Sequence, residues 1–213
     1  MLKLDIKKYK IIGLDFDGVI ANECITKKKK WELTLKHFKK VHPKLSEVFF
    51  YFYEKYPQQK ILDKVFKRLN IKKLYKKKFL SKFHKQNVKE IFFKKINNLF
   101  ILLKKNSLVG IMTDGKKKYQ LPRLKQLPFF NKLDFIYYGD KFQKPDKNFF
   151  FQCKELRNLK NLNEFLYIGD RYEKDIKNCI NLNMNAFLIT QNKNYKNLSF
   201  NSIENLLLFL KNK

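Results

Sequence analysis

Arginine is scarce in this chain: of 48 basic residues only four, Arg68, Arg123, Arg157 and Arg171, are arginines. Acidic residues number 19, which leaves a formal charge of +29 over 213 residues. A charge of that size fits a polyanionic partner. A surface selected for phosphates, however, favours the guanidinium fork over the lysine point charge. The lysines are instead spread along the chain beside abundant Asn, Phe, Ile and Leu. Drift toward A- and T-rich codons explains that pattern at least as well, and no specific nucleic-acid partner is expected.

Cysteine is almost as sparse. Cys24, Cys153 and Cys179 are an odd number without metal-ligand spacing, and His37, His42 and His84 are not clustered with them. A disulfide framework is excluded as the organising device, and a reduced cytoplasmic protein is the simplest account. No apolar run approaches the roughly 20 residues needed to cross a bilayer, so no membrane partner is expected. The first strand pattern begins within about ten residues of Met1, which leaves no room for a signal peptide. Repeats and Gly/Ser-rich linkers are missing as well. What is present is a hydrophobic content of 44% with 16% aromatic residues, enough for a substantial core. The length suits one compact domain, or a core of roughly 130–150 residues carrying an insertion. Oligomeric state stays open.

The chain is organised around residues 11–22. Ile11, Ile12 and Leu14 read as a short strand buried on both faces, the form found in parallel sheets. Asp15 falls at its C-terminal end, where open α/β sheets place their ligands. Asp17 follows one residue on, and Gly18 permits a sharp turn. Two carboxylates so close repel unless a cation or a shared proton relieves them. An Asx turn closing a strand is the structural alternative.

Residues 24–92 read differently. Trp31, Leu35, Phe38, Phe49, Phe52, Ile61, Leu62, Val65, Phe66 and Leu69 recur at helical spacing. Glycine is absent, and Pro43 and Pro57 punctuate the stretch. About four helices and no strand are expected, inserted after the first strand, with the lysine runs 27–30 and 76–78 as solvated faces.

From residue 97 an α/β rhythm begins. A helix over 97–105 precedes a strand over 108–112 that delivers Thr113, Asp114 and Gly115. A helix over 119–127, interrupted near Pro122, leads to a strand over 135–138. Gly139 opens a loop to Lys144, Pro145 and Asp146, where Pro145 keeps Lys144 extended and Asp146 caps a helix through Leu156. A fourth strand, 165–168, ends in Gly169 and Asp170, with Asp175 five residues on. A helix through Cys179 and Ile180 and a fifth strand, 186–189, follow. Asn201 is the expected N-cap of a last apolar helix, with Glu204 at its third position.

Four strand ends thus carry chemistry in order: Asp15 with Asp17, Thr113, Lys144, and Asp170 with Asp175. Together they resemble the motifs of the haloacid dehalogenase-like hydrolase superfamily, across nearly the whole chain. The resemblance implies an α/β fold, a Rossmann-like five-stranded parallel sheet with the first strand central. It implies a core of residues 1–23 and 93–213 and an all-helical cap, residues 24–92, that closes over the site. Asn183 stands where the family usually has Gly, and Asp114 where Asn is commoner. Asn tolerates the left-handed backbone, so the first departure is mild.

The chemistry that the resemblance implies is phosphate-ester hydrolysis. Asp15 attacks phosphorus and forms an aspartyl-phosphate. Asp17 protonates the leaving alkoxide and then activates water. Asp15, Asp170 and the backbone carbonyl of Asp17 hold Mg²⁺, which prefers oxygen ligands. Thr113 and Asp114 belong to the phosphate pocket, Lys144 neutralises charge between nucleophile and phosphate, and Gly18 and Asp175 support the arrangement. Relatives that cleave carbon–halogen bonds lack an acid at the position of Asp17, so its presence favours phosphate chemistry. The expected protein is a cytoplasmic Mg²⁺-dependent phosphatase acting on a small phosphorylated metabolite, a sugar phosphate or nucleotide. A phosphomutase on the same fold is the enzymatic alternative, and a basic nucleic-acid-binding protein that kept the fold is the non-enzymatic one.

Overall fold

The computed structural model describes residues 6–55, 61–72, 74–153, 156, 159, 161–192, 195 and 199–211. The chain divides into two compact units, one formed by Met1–Glu23 with Glu90–Lys213 and the other by Cys24–Lys89.

The larger unit is built on a parallel sheet. Its strands are β1 (Ile11–Leu14), β2 (Leu108–Thr113), β3 (Ile136–Tyr138), β4 (Phe165–Gly169), β5 (Asn185–Ile189) and β6 (Ser199–Phe200). They lie in the order β3-β2-β1-β4-β5-β6, so β1 is central, hydrogen-bonded to β2 on one side and β4 on the other. Five strands match expectation. The sixth adds a two-residue edge parallel to β5, pairing Leu188 with Ser199 and Ile189 with Phe200. A strand this short carries too little period-2 signal to be read from sequence.

Because side chains alternate across a strand, β1, β4 and β5 each feed two cores. Ile12, Leu14, Leu166, Ile168, Phe187 and Ile189 point to one face. That face is covered by α5 (Ile96–Leu103) and α9 (Ile203–Lys211) through Leu99, Phe100, Leu206 and Leu210. Ile11, Met112, Phe165, Tyr167, Ala186 and Leu188 point to the other. There α7 (Lys147–Phe151) and α8 (Lys177–Asn181) contribute Phe149, Phe150 and Cys179. Full burial of β1 on both faces explains why its sequence shows an apolar run rather than alternation.

The smaller unit contains, among its described residues, α1 (Glu23–Phe38, which begins one residue before the boundary), α2 (Leu45–Lys55), α3 (Ile61–Arg68) and α4 (Tyr75–His84), and no strand. Leu35, Leu45, Phe49, Val65 and Phe79 form its own core. Pro57 lies outside the described residues. No described helix is long and apolar enough to cross a membrane.

Several local expectations differ from the structure. The helix α6 (Lys117–Leu124) starts earlier than expected and runs through Pro122 instead of breaking there. Proline's cost comes from a lost N–H donor and a clash with the preceding turn, and α6 ends only two residues later. The helix after Asp146 is short, ending at Phe151, with residues 154 and 155 outside the described set; Asp146 does cap it, accepting a hydrogen bond from Asn148 N at 2.8 Å. Between Arg171 and α8 the chain makes a π-helical turn, Tyr172–Ile176. The last helix is capped by Ser202, whose Oγ accepts from Asn205 N, rather than by Asn201. Ser is as good a cap as Asn, so neighbouring candidates are not separable by type.

Asn183 adopts φ +55°, the left-handed conformation expected of it. That conformation costs residues other than Gly and Asn about 1 kcal/mol or more. Asn183→Ala should therefore lower stability by about 1 kcal/mol in urea denaturation, with Asn183→Gly near neutral. An Ala variant as stable as the parent would show that the turn is not under this constraint.

Candidate active site

The C-terminal ends of β1, β2 and β4 meet in a cleft of about 230 Å³, and the loop after β3 brings buried Lys144 against Asp15. Asp15 directly follows β1, its backbone N–H donating to Ile168 O and so continuing the β1–β4 ladder. Its side chain is almost wholly buried. Oδ1 accepts from Phe16 N at 2.8 Å, and Oδ2 accepts from Lys144 Nζ at 2.7 Å. Gly18 turns the chain away at φ +86°, and a Cβ there would collide with the Asp170 carboxylate. The glycine thus lets the first and fourth strand ends close on each other.

Lys144 is fully buried, with a cis peptide joining it to Pro145. Its ammonium lies 2.7 Å from Asp15 Oδ2, 2.7 Å from Asp175 Oδ1 and 3.0 Å from the Tyr167 hydroxyl. Burial works against this charge, but the carboxylates of Asp15 and Asp175 outweigh it and hold Lys144 at about 12. Two carboxylates share one ammonium, and negative charge remains in excess. Burial pushes Asp15 well above the usual carboxylate range; Lys144 pulls it down, and Asp175 and Asp170 push it up again. Asp170 is raised to about 6, first by burial and then by Asp175.

Such an excess calls for a cation. Carboxylate oxygens of Asp15, Asp170 and Asp175 lie within 4.8 Å of one another. Asp170 Oδ1 is buried without a hydrogen-bond partner, which is costly unless something else satisfies it. An all-oxygen donor set with an orphaned oxygen fits a hard divalent ion such as Mg²⁺. Asp175 is otherwise engaged, through Lys144 and through Oδ2, which accepts from Arg171 N at 2.9 Å.

Thr113 ends β2 facing the cleft. Its Oγ1 accepts from Gly115 N at 3.3 Å and from Gln120 Nε2 at 3.2 Å, leaving its own proton to donate. Asp114 also lines the cleft, but what it holds is protein: Oδ1 accepts from Lys144 N at 2.7 Å. Its negative charge opposes phosphate binding. The bond from Lys144 N anchors the loop that carries the lysine.

The side chain of Asp17 lies outside the carboxylate trio and is held by residues that sequence reasoning missed. Arg123 on α6 donates from Nη2 to Asp17 Oδ1 at 2.7 Å and from Nη1 to Oδ2 at 3.2 Å. Arg123 Nε in turn donates to Glu90 Oε1 at 2.6 Å, and Glu90, the first residue after the helical unit, has a side chain only 1% exposed. Gln120 bridges the group, donating to Asp17 and to Thr113 and accepting from Arg123. Burial disfavours the Arg123 charge, but bonds to Glu90 and Asp17 raise its pKa regardless. One signal pointed here: in a chain that uses lysine for 44 of 48 basic positions, a retained arginine marks a place where the planar fork is needed.

A family model for haloacid dehalogenase-like hydrolases matches residues 12–189. No curated protein matches the sequence. Among solved structures, YfnB from Bacillus subtilis, a candidate HAD-hydrolase bound to magnesium, is 17% identical, with 95% of this chain and 98% of that one covered and a TM-score of 0.66. A candidate β-phosphoglucomutase from Thermotoga maritima is 16% identical over 95% and 99% of the two chains, TM-score 0.68. A predicted phosphoglycolate phosphatase from Haemophilus somnus is 15% identical over 95% and 98%, also with TM-score 0.68. At these identities the likeness is one of fold.

Arg123→Ala would leave Glu90 buried and unpaired, which should cost about 3–5 kcal/mol in chemical denaturation. Adding Glu90→Gln to that variant should recover part of the loss. A double variant no more stable than Arg123→Ala alone would rule out the coupling.

Proposed function

Because the chain belongs to the haloacid dehalogenase-like hydrolase family, we propose that its cleft hydrolyses phosphate monoesters of small metabolites, sugar phosphates or nucleotides, through a phosphoaspartate on Asp15. The observation that carries this reading is the meeting of two carboxylates, Asp15 and Asp17, in one cleft with a buried ammonium behind the first.

The steps follow from what each group can do. Asp15, fixed by Phe16 N and Lys144, presents a carboxylate oxygen to phosphorus. Its attack forms the acyl-phosphate bond as the ester P–O bond breaks, and Asp17 gives a proton to the departing alkoxide. Asp17 then takes a proton from water, which attacks phosphorus and returns Asp15 as a carboxylate with release of phosphate. Arg123 and Gln120 orient Asp17 for both transfers. Thr113 donates its hydroxyl to a phosphoryl oxygen. The carboxylates of Asp15 and Asp170 and the backbone carbonyl of Asp17 would hold Mg²⁺, which when bound draws charge from the phosphoryl oxygens. Residues 24–89 serve, in this reading, as the cap that selects small substrates and excludes water.

Asp15→Asn should abolish turnover of aryl and alkyl phosphates alike. Asp17→Asn should lose about 10²–10⁴-fold on alkyl phosphates and less on aryl phosphates, whose leaving oxygen needs little protonation. Near-parental alkyl-phosphate turnover in Asp17→Asn would remove Asp17 from the mechanism. Chelation with EDTA should stop hydrolysis and added Mg²⁺ restore it; activity that persists in EDTA would exclude the divalent ion. Phosphate released in step with substrate consumed separates a hydrolase from a mutase.

A further inference from the structure

Two carboxylates share the Arg123 fork, and they are not held alike. Asp17 takes the end of the guanidinium, with Nη2 donating to Oδ1 at 2.7 Å and Nη1 to Oδ2 at 3.2 Å. Glu90 takes the adjacent side, with Nε donating to Oε1 at 2.6 Å and Nη2 to Oε2 at 3.1 Å. Gln120 Oε1 accepts from Nη1 at 2.9 Å. The five donors of the fork are thereby engaged. Because the group is planar, the direction of Glu90 fixes the direction of Asp17. The Asp17 side chain is 24% exposed and that of Glu90 only 1%. Asp17 has room to turn, and Glu90 has none.

Glu90 is fixed by where the chain places it. It begins the return from the helical unit into the larger one, to which Asp17, Arg123 and Glu90 all belong. Its backbone N–H donates to Gln126 Oε1 at 2.8 Å. The residues after it pair with those that follow Gly18. Asn22 N donates to Ile91 O at 2.7 Å, Phe93 N donates to Ile20 O at 3.0 Å, and Ala21 bridges antiparallel to Phe92. The returning segment is thus fastened to the turn beside Asp17 through the backbone, and to the Asp17 side chain through Arg123. The guanidinium is steadied from its apolar side as well, 4.8 Å from the centre of the Phe16 ring. Neutralising Glu90 alone would need only a cation; a second carboxylate aligned on the neighbouring edge of the same fork needs this geometry.

We propose that Glu90 is a positioning residue for proton transfer, acting through Arg123 to hold the Asp17 carboxylate toward the leaving oxygen. This rests on the phosphatase reading above and adds to it the mount of the proton-transfer group. Such a group works only within about 2.6–3.2 Å of its partner, and a misplacement of about 1 Å can cost about 10²-fold. Glu90 does not line the cleft, so what it supplies to the reaction is the fixed second edge of the fork.

The test compares ethyl phosphate with p-nitrophenyl phosphate, using full-length protein with Mg²⁺ present. The quotient kcat/KM reports the steps up to the phosphoaspartate, in which the ethoxide needs a proton from Asp17 and the nitrophenolate needs little help. Glu90→Gln should lower kcat/KM for ethyl phosphate about 10- to 100-fold, and for p-nitrophenyl phosphate much less. Both rates are read in one preparation, so partial unfolding cancels from their ratio. Arg123→Lys, which keeps the charge without the planar fork, should shift the ratio the same way. In the Asp17→Asn background, Glu90→Gln should shift it no further. Should Glu90→Gln yield no folded protein, Glu90→Asp, a methylene too short to keep both bonds, carries the same comparison. A ratio unchanged from the parent, whether or not both rates fall, would show a structural role and overturn the assignment. So would a shift that persists without the Asp17 carboxylate. Parental protein that hydrolyses neither ester would defeat the phosphatase reading and the assignment with it, a result distinct from the other two, which require an active parent.

Discussion

Lys144 Nζ sits between Asp15 and Asp175, 2.7 Å from each and shielded from water. A buried charge is tolerated only when paired and hydrogen-bonded, so this one ammonium fixes where three segments of the chain must meet. The loop after β3 delivers it, the end of β1 supplies Asp15, and the π-helical turn after β4 supplies Asp175. Glycine is needed where these segments approach. At Gly169 a Cβ would strike the Asp175 side chain, and at Gly18 it would strike Asp170.

One ammonium does not balance the carboxylates gathered at the strand ends, and much of the site follows from that deficit. Asp15 and Asp170 stay above their ordinary range, pushed first by burial and then by the charge of Asp175. Asp170 Oδ1 is left buried without a hydrogen-bond partner. Arg171 is drawn over the cleft without closing on any one carboxylate. In the proposed reading, a divalent ion held by Asp15 and Asp170 would relieve this excess of negative charge. On the other side of the cleft the balance is local: Arg123 joins Asp17 to buried Glu90, and a second small network closes.

The sheet was legible from sequence because its signals are local. Ile11–Leu14 and Phe165–Gly169 are short apolar runs that end in Gly or Asp, and their ends carry polar residues whatever the rest of the chain does. Asn183 was readable for the same reason: its backbone conformation is a property of one residue. What escaped depends on distance along the chain. Asp17 and Arg123 are 106 residues apart, and Arg123 and Glu90 33 apart, so neither contact leaves a periodic trace. The bond from Lys144 N to Asp114 Oδ1 spans 30 residues and escaped for the same reason. At α6 and at the Ser202 cap, residue propensity pointed close to the right place, but these preferences differ by too little to settle a boundary.

Everything proposed for the cleft turns on Asp15 as the nucleophile. The direct measurement is mass spectrometry of protein quenched in acid during turnover of an aryl phosphate, with the modified peptide sequenced. The account predicts one added phosphoryl group on the peptide containing Asp15, absent from Asp15→Asn and accumulating in Asp17→Asn, where water attack is slowed. Burst release of the aryl leaving group with no phosphorylated peptide, or with the phosphoryl group on another residue, would contradict it.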